Sequence, residues 1–401
     1  MQEMVVASDS LSIPKPEILA GDEHRRVRFG ASVMFLVDGI GFGVWATLLP
    51  TFREKFALSE MDLSKAMLGM VLGAMAGMPL AGRAISRWGS GRVIRFLAPV
   101  YCLYLIALVS APSLGWLIAA ATLFGAMKGA FDVSINSQAI AVENAGTRRI
   151  MSGFQALWSI GGGLAALGTA KALKEGVTPL MLVCCLGVLL FLAAISQGGR
   201  LLSTDAVSKA SGHRSRKLPS KVILKIGALC LLVLFAEGVM MDWSSIYSRV
   251  VSGAEDWLAP LAFGTFSAAM AIGRLSGDWL QARVEPGKVL RYGALLTGLG
   301  MLVVVAIHHW IATFAGLALC GLGLSNQVPI LFGAGGRAHH GGVGEGIAAV
   351  SMMGYFGFLA GPPAIGGIAH LTSLPAAFSL VILFSAVLAI WGPRTLGKAG
   401  E

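Results

Sequence analysis

Apolar stretches of about 20 residues alternate with short polar segments along almost the whole chain. We count twelve such stretches, and each is long enough for an α-helix that crosses a hydrocarbon layer about 30 Å thick. They cover residues 29–50, 63–86, 93–111, 115–141, 151–172, 177–196, 221–247, 258–280, 288–308, 310–333, 344–369 and 374–393. The pattern predicts an all-α integral membrane protein with twelve transmembrane helices.

Composition agrees with this pattern. Hydrophobic residues make up 55% of the 401 positions and charged residues only 13%, whereas a soluble domain averages about 25% charged residues. Residues 1–21 are polar and contain two prolines, so we expect no cleavable signal peptide.

The only long polar segment between apolar stretches, residues 197–220, divides the stretches into six and six. The predicted organisation is therefore a tail at 1–28, a six-helix bundle at 29–196, a linker at 197–220, a second six-helix bundle at 221–393 and a tail at 394–401.

The distribution of Lys and Arg predicts the orientation. With a cytoplasmic N-terminus, 24 of the 31 basic residues fall in cytoplasmic segments and six in the external ones. Cytoplasmic loops of membrane proteins carry such an excess, so we expect both termini in the cytoplasm and the protein in a bacterial inner membrane. The net charge of +10 then indicates contact with anionic membrane lipids and requires no nucleic acid.

Similar motifs recur in the two halves, in the same order and at a shift of 191–199 residues, which indicates a duplication. The matched pairs are Asp38-Gly39 with Glu237-Gly238, Trp45 with Trp243, Gly82-Arg83 with Gly273-Arg274, and Trp158 with Tyr355.

The six-plus-six duplication resembles the major facilitator superfamily, and GRAISRWGSGR at 82–92 resembles the cytoplasmic loop motif of that superfamily. Ser86 departs from the motif, which usually has an Asp there. The resemblance implies two six-helix bundles related by a pseudo-twofold axis, a monomer, and a conformational role for the loop residues. In this chain they are Gly82, Arg83, Arg87, Gly89 and Arg92, with Gly273, Arg274 and Asp278 in the second copy.

Four further segments resemble the branch of that superfamily that contains the rhizobial rhizopine transport protein MosC, with fucose–proton symporters as more distant relatives. The segments are FDVSINSQAI (131–140), IMSGFQALWSIGG (150–162), EGVMMDWSSIY (237–247) and GYFGFLAGPPAIG (354–366). This resemblance implies a small substrate that is a polyol, a sugar or an inositol derivative. It also implies that Asp38 and Asp132, which match acids on helices 1 and 4 of the fucose symporters, serve proton coupling and sugar binding.

Acids at membrane depth are the main candidates for chemistry. A carboxylate there costs several kcal/mol unless it is paired or faces water. Burial favours the protonated form and a nearby cation the ionised form, so a site with alternating exposure can load and release protons. The proton-coupling candidates are Asp38, Asp132 and Glu237. Lys128, Asp132 and Asn136 share one helix face, so a purely structural Lys128–Asp132 pair remains an alternative.

Substrate-binding candidates combine acids and amides, which bind hydroxyl groups, with aromatic rings, which stack on a sugar-like ring. They are Asp38, Trp45, Lys128, Asn136, Gln155, Trp158, Glu237, Asn326, Gln327 and Tyr355. Interhelical hydrogen bonds and simple packing are the alternative roles for the amides and the aromatics.

These features predict a secondary transporter driven by an ion gradient, because no ATP-binding motif is present. Proton-coupled transport by alternating access is the leading hypothesis. Efflux of amphiphilic drugs by proton antiport and a non-transporting membrane receptor are the alternatives. We expect no enzyme activity, no cofactor and no metal site, since the apolar stretches contain no nucleophile–base pair and no ligand cluster.

Overall fold

The structure is a computed structural model that describes residues 21–146, 150–202, 220–338 and 343–397. Every regular element in these ranges is a helix. The helices are α1 (Gly21–Lys55), α2 (Glu60–Trp88), α3 (Ser90–Val109), α4 (Leu114–Asn144), α5 (Met151–Lys174), α6 (Pro179–Gly198), α7 (Lys221–Val250), α8 (Pro260–Leu275), α9 (Gly277–Gln281), α10 (Pro286–Ala306), α11 (Trp310–Leu324), α12 (Gln327–Ala338), α13 (Val343–Leu371) and α14 (Leu374–Gly397).

These fourteen helices form twelve crossings, as the apolar pattern predicts, because two crossings are broken. The eighth consists of α8 and α9, and the tenth consists of α11 and α12. Within the described ranges, nine helical stretches are long and apolar enough to span a membrane by length and composition alone. Residues 1–20, 203–219 and 398–401 of the predicted tails and linker lie outside the described residues.

Polar residues at the junctions set where several helices begin. The side-chain oxygens of Ser59, Ser113, Thr178 and Ser220 accept hydrogen bonds from backbone N–H groups in the first turns of α2, α4, α6 and α7. Such caps satisfy donors that have no partner inside the helix. Gly89 joins α2 to α3 with φ 78°, a left-handed conformation that favours glycine.

Helices α2 and α4 pack backbone against backbone. A Cβ atom at Gly73 or Gly77 would overlap the carbonyl oxygens of Thr122 or Ala126, and one at Gly125 would overlap that of Met70. Small residues spaced four apart on both helices allow this close approach, which is how membrane helices commonly associate.

The helix junctions lie on two faces of the bundle. We call the side with the junctions at 88–90, 144–151, 198–221, 281–286 and 338–343 the basic face, and the side with those at 55–60, 109–114, 174–179, 250–260, 306–310 and 371–374 the opposite face. The two halves, α1–α6 and α7–α14, meet closely toward the opposite face. There α1 is buried on all sides over residues 41–50, and α7 over residues 233–248.

Several contacts join the halves at the opposite face. The Arg249 Nε atom lies 3.4 Å from Glu54 Oε1, and Lys174 Nζ lies 4.3 Å from the centre of the Trp257 ring. Gly366 of α13 packs so closely on Ser64 of α2 that a Cβ atom would clash. The bundle is therefore closed on the opposite face.

Candidate functional site

Asp38 is the most enclosed acid of the predicted set. Its side chain is fully buried on α1, and its Oδ2 atom accepts a hydrogen bond from Trp158 Nε1 of α5 at 2.8 Å. Gly39 makes this contact possible, because a Cβ atom there would overlap the carbonyl oxygen of Trp158. Tyr101 of α3 donates its hydroxyl to the backbone oxygen of Asp38 at 3.3 Å.

Lys128 of α4 neutralises Asp38 and is shared with Asp132. Its Nζ atom lies 3.0 Å from Asp38 Oδ2 and 3.7 Å from Asp132 Oδ1. The sequence predicts only the Lys128–Asp132 contact between neighbouring turns. The shorter contact to Asp38 crosses from α4 to α1, so Lys128 ties two helices together as well as two charges.

The polar stripe of α4 continues from this pair to α5. Asn136 Nδ2 donates to Asp132 Oδ1 at 3.2 Å and to the Asp132 backbone oxygen at 2.9 Å. Gln155 Nε2 of α5 in turn donates to Asn136 Oδ1 at 3.0 Å. The four side chains from Lys128 to Gln155 thus form one series inside the first half, joined by an ion pair and two hydrogen bonds.

Arg274 carries the series into the second half. Its guanidinium donates to Ser159 Oγ at 2.9 Å and to the Gln155 backbone oxygen at 3.4 Å, and its Nη2 atom lies 3.1 Å from Glu237 Oε1. The sequence groups Arg274 with the loop motif, and the structure places it in the last turn of α8 with its side chain directed inward. A buried Glu237 needs a cation partner, and Arg274 supplies it.

We call these side chains the polar cluster: Asp38, Lys128, Asp132, Asn136, Gln155, Trp158, Ser159, Glu237 and Arg274. It contains three acids and two bases. Asp38 and Glu237 are buried, with side-chain exposures of 0% and 7%, whereas Asp132 is 28% exposed. Asp132 shares its cation, Lys128, with Asp38 and lies farther from it. The most exposed acid of the cluster therefore has the weakest ion pair.

Aromatic rings border the polar cluster. The Trp158 ring packs against Phe42, with ring centroids 5.6 Å apart, and Lys128 Nζ lies 5.6 Å from the ring centroid of Trp158. Tyr355 is half-buried on α13, and its ring centroid lies 6.3 Å from that of Phe358. Phe356, the next residue, is exposed.

Three other predicted binding residues lie away from the polar cluster. Trp45 is buried between Phe52 and Phe124 inside the first half. Asn326 and Gln327 lie at the break between α11 and α12, where their amides donate to the backbone oxygens of Gly273 and Gly323, both at 2.9 Å. These amides satisfy backbone carbonyls where helices are broken. From the sequence alone, this role looks the same as ligand binding, because both require a polar residue at membrane depth.

The loop motif residues of the first half lie at the basic face. Gly82, Arg83 and Arg87 are exposed in the last turns of α2, Gly89 forms the turn, and Arg92 is exposed in the first turn of α3. In the second copy, Gly273 packs so tightly on Ser325 that a Cβ atom would clash. Asp278 belongs to α9, and its side chain lies outside the described residues.

Sequence reasoning missed Ser159, Phe42 and Tyr101 as neighbours of the site. The glycines at positions 39 and 161 could have indicated that α1 and α5 are neighbours. Small residues on both helices permit the close approach that brings Trp158 to Asp38. No local pattern in the sequence predicts that Arg274 is the partner of Glu237, since the two residues are 37 positions apart in the chain.

A polar cluster buried between two six-helix halves of a multi-pass membrane protein is typical of a solute transporter. The model of the Major Facilitator Superfamily matches residues 31–341. The chain therefore belongs to the Major Facilitator Superfamily, as its motifs predict.

Relatives and solved structures agree with this family. The chain is 35% identical over 353 residues to an uncharacterised MFS-type transporter of Yersinia pestis, covering 87% of this chain and 90% of that one. It is 30% identical over 359 residues to the membrane protein MosC of Rhizobium meliloti, covering 88% and 86%.

Among solved structures, the nucleoside transporter NupG superposes with a TM-score of 0.72 at 12% identity, covering 92% of this chain and 99% of that one. The fucose:proton symporter FucP of E. coli superposes with a TM-score of 0.59 at 16% identity, covering 93% and 98%. At these identities the likeness shows the fold alone.

Proposed function

We propose that this protein is a proton-coupled secondary transporter that moves a small polar solute, an inositol derivative, polyol or sugar, across the bacterial inner membrane. The observation that carries the proposal is the polar cluster, in which acids and bases of both halves are joined by direct contacts and Asp38 and Lys128 lie against Trp158. Groups that bind hydroxyls next to an aromatic face suit a polyol or a sugar-like ring.

The closed opposite face supports alternating access. Arg249–Glu54 and Lys174–Trp257 join the halves there, while Asp132 and Lys128 of the polar cluster keep 28% and 11% of their side chains exposed. In this proposal the basic face is cytoplasmic, the structure is an inward-facing state, and a monomer rocks its two halves around the site.

Proton coupling is assigned to Asp38, Asp132 and Glu237. Lys128 and Arg274 hold Asp38 and Glu237 in ion pairs, and Asp132, the most exposed of the three acids, is the one that a ligand or proton reaches first. A substrate hydroxyl that binds Lys128 or Arg274 would weaken the ion pair of that cation with its acid. The acid would then bind a proton more readily, which links substrate binding to protonation.

A thermal-stability screen of the purified protein is the first test. A ligand that binds only the folded state raises the melting temperature by mass action. We expect inositols, amino-inositols or hexoses to stabilise the wild type and to have no effect on Asp38→Asn or Trp158→Ala. Stabilisation by lipophilic cations alone would instead establish the drug-efflux alternative.

Transport is then measured in sealed proteoliposomes with the stabilising compound as the labelled substrate. We expect an inward proton gradient to drive uptake by the wild type and by Asp22→Asn, a control acid that is fully exposed in the first turn of α1. Asp38→Asn should lose gradient-driven uptake. Gradient-driven uptake by Asp38→Asn would contradict the role of Asp38, and binding without any uptake by the wild type would indicate a receptor.

A further inference from the structure

An apolar groove runs along the surface where α5 of the first half lies beside α8 of the second half. We call it the lateral groove, and its walls include Ile160, Leu164 and Leu167 of α5 and Leu261, Thr265 and Ile272 of α8. Gly161 and Ala165 pack on α1 from the other side of α5. The groove therefore opens away from α1 and the polar cluster, and Leu164 and Leu167 are 48% and 59% exposed in it.

The walls of the lateral groove do not suit water. Of the described residues that line it, only Thr265 has a polar side chain, and its Oγ1 atom donates to the Leu261 backbone oxygen at 2.8 Å. A bound water molecule needs several polar partners, and none is offered here. An empty space of about 540 Å³ would leave the wall atoms without dispersion contacts. In a hydrocarbon layer, an acyl chain is the material that fills such a space.

The length of the lateral groove fits one acyl chain. Along the groove, α8 rises about 21 Å from Leu261 to Leu275. One leaflet contributes half of a hydrocarbon layer about 30 Å thick. A single chain that enters from one face therefore occupies most of the groove.

A lysine at the opposite face indicates which leaflet supplies the chain. Lys171 follows Leu167 by one turn on the same side of α5, and its side chain is 77% exposed. Its contact with Glu175 is 4.0 Å long and exposed, so it contributes little and leaves the ammonium group available to a phosphate. At the other end of the groove, the guanidinium of Arg274 is turned inward to Glu237 instead.

We propose that the lateral groove binds one phospholipid from the leaflet at the opposite face. One acyl chain of this lipid fills the groove, and its phosphate binds Lys171. Because α5 and α8 belong to different halves, the bound chain contacts both halves on the side where Lys174 and Trp257 join them. The site is separate from the polar cluster, and the inference depends neither on the identity of the solute nor on transport itself.

A photoreactive lipid tests this site. The full-length protein is reconstituted into vesicles of phosphatidylethanolamine and phosphatidylglycerol that contain a trace of phosphatidylglycerol with a diazirine in one acyl chain. Mass spectrometry of peptides then locates the labelled residues. We expect Leu164, Leu167 and Ile272 to be labelled more strongly than Leu189 and Leu192, which are 62% and 58% exposed on α6. Equal labelling of the two sets would show ordinary contact with the bilayer and would overturn the proposal.

Two glycines of α5 provide a matched pair of variants. Gly163 lines the groove, and a Cβ atom there has room, since its nearest neighbour is the Gly264 backbone oxygen at 3.9 Å. Gly163→Leu should therefore fill part of the groove and lower its labelling to the level of α6. Gly168→Leu, whose side chain meets open space outside the groove, should keep wild-type labelling.

A variant on the other wall makes the result independent of how Gly163→Leu folds. Ala268 of α8 also lines the groove and is exposed, so Ala268→Phe should lower the labelling in the same way. Wild-type labelling of the groove in both variants would contradict the binding of a chain there.

The role of Lys171 is tested with two probes that carry the same chain. Lys171→Gln should lower the labelling by the phosphatidylglycerol probe about two- to fivefold, the effect of losing one exposed ion pair. Labelling by a diacylglycerol probe, which lacks the phosphate, should not change. The control is Lys65→Gln, because Lys65 lies at the same face, is 54% exposed and also pairs with a neighbouring acid. Equal labelling of Lys171→Gln and the wild type by the phospholipid probe would overturn the phosphate contact.

A second copy of this chain is the other occupant that the test distinguishes. In that case the groove would be labelled more weakly than α6, and light scattering would show a dimer. That pair of results would assign the groove to contact between copies and would overturn the lipid site.

Discussion

Removal of the Lys128 charge is the most direct test of how the polar cluster is held together. Lys128→Met keeps a long, flexible apolar side chain and deletes the ammonium group that lies 3.0 Å from Asp38 and 3.7 Å from Asp132. Both carboxylates then lose their cation, and Asp38, which is fully buried, keeps only the Trp158 N–H bond to Oδ2. We expect the variant to be strongly destabilised.

The magnitude follows from the burial of the pair. At 3.0 Å and an effective dielectric constant of about 20, the attraction between unit charges is about 5–6 kcal/mol. The desolvation of Lys128 offsets part of it, and the removal of one partner from a buried ion pair costs about 3–5 kcal/mol. This loss corresponds to a decrease of roughly 10²–10⁴ in the folding equilibrium constant.

The assay is equilibrium unfolding in mixed micelles of detergent and sodium dodecyl sulfate. The double variant Asp38→Asn/Lys128→Met should regain stability, with a coupling energy of at least about 1 kcal/mol between the two positions. Lys171→Met is the control, because its ammonium group is 77% exposed and should contribute little. Wild-type stability in Lys128→Met, or strictly additive effects in the double variant, would refute the ion-pair argument.

Three further predictions concern single contacts. Gly39→Ala should reduce stability in melting assays and transport in uptake assays, because the new methyl group pushes α5 and Trp158 away from Asp38. Gly168→Ala on α5 is the control, since its methyl group meets open space and the variant should behave like the wild type in both assays. Trp158→Phe should keep the ring but lose the hydrogen bond to Asp38, worth about 1.5–3 kcal/mol for a charged acceptor, and thermal unfolding that matches the wild type would contradict this role. Arg274→Gln should abolish uptake, because it leaves Glu237 unpaired. Arg283→Gln is the control, since it lies on the exposed turn after α9 and should keep uptake. Equal uptake rates in the two variants would argue against the role of Arg274 in joining Ser159 to Glu237.

The sequence contains enough information for the twelve crossings and the family. Both depend on local signals: runs of apolar residues, the excess of basic residues on one face, and motifs repeated at a fixed shift. It also predicts Asp38, Asp132, Lys128 and Glu237 as unusual residues, because a charge at membrane depth is costly wherever the helix packs. These predictions need no knowledge of which helices are neighbours.

The pairing of the charges required the tertiary structure. Lys128 is four residues from Asp132 in the chain, and the sequence therefore predicts that contact, but the shorter contact to Asp38 depends on how α4 crosses α1. The same holds for Arg274, which the sequence groups with the loop motif, because its contact with Glu237 depends on how α8 packs on α7.

The amides at positions 326 and 327 show the opposite case. Their polarity at membrane depth suggests ligand binding, yet their amides donate to the backbone oxygens of Gly273 in α8 and Gly323 in α11. Hydropathy and motifs determine which segments enter the membrane and which polar residues enter with them. Only the packing of the helices decides whether each of those residues stays exposed, pairs with another charge or bonds a backbone carbonyl. The physical reason is that this outcome depends on contacts between residues far apart in the chain.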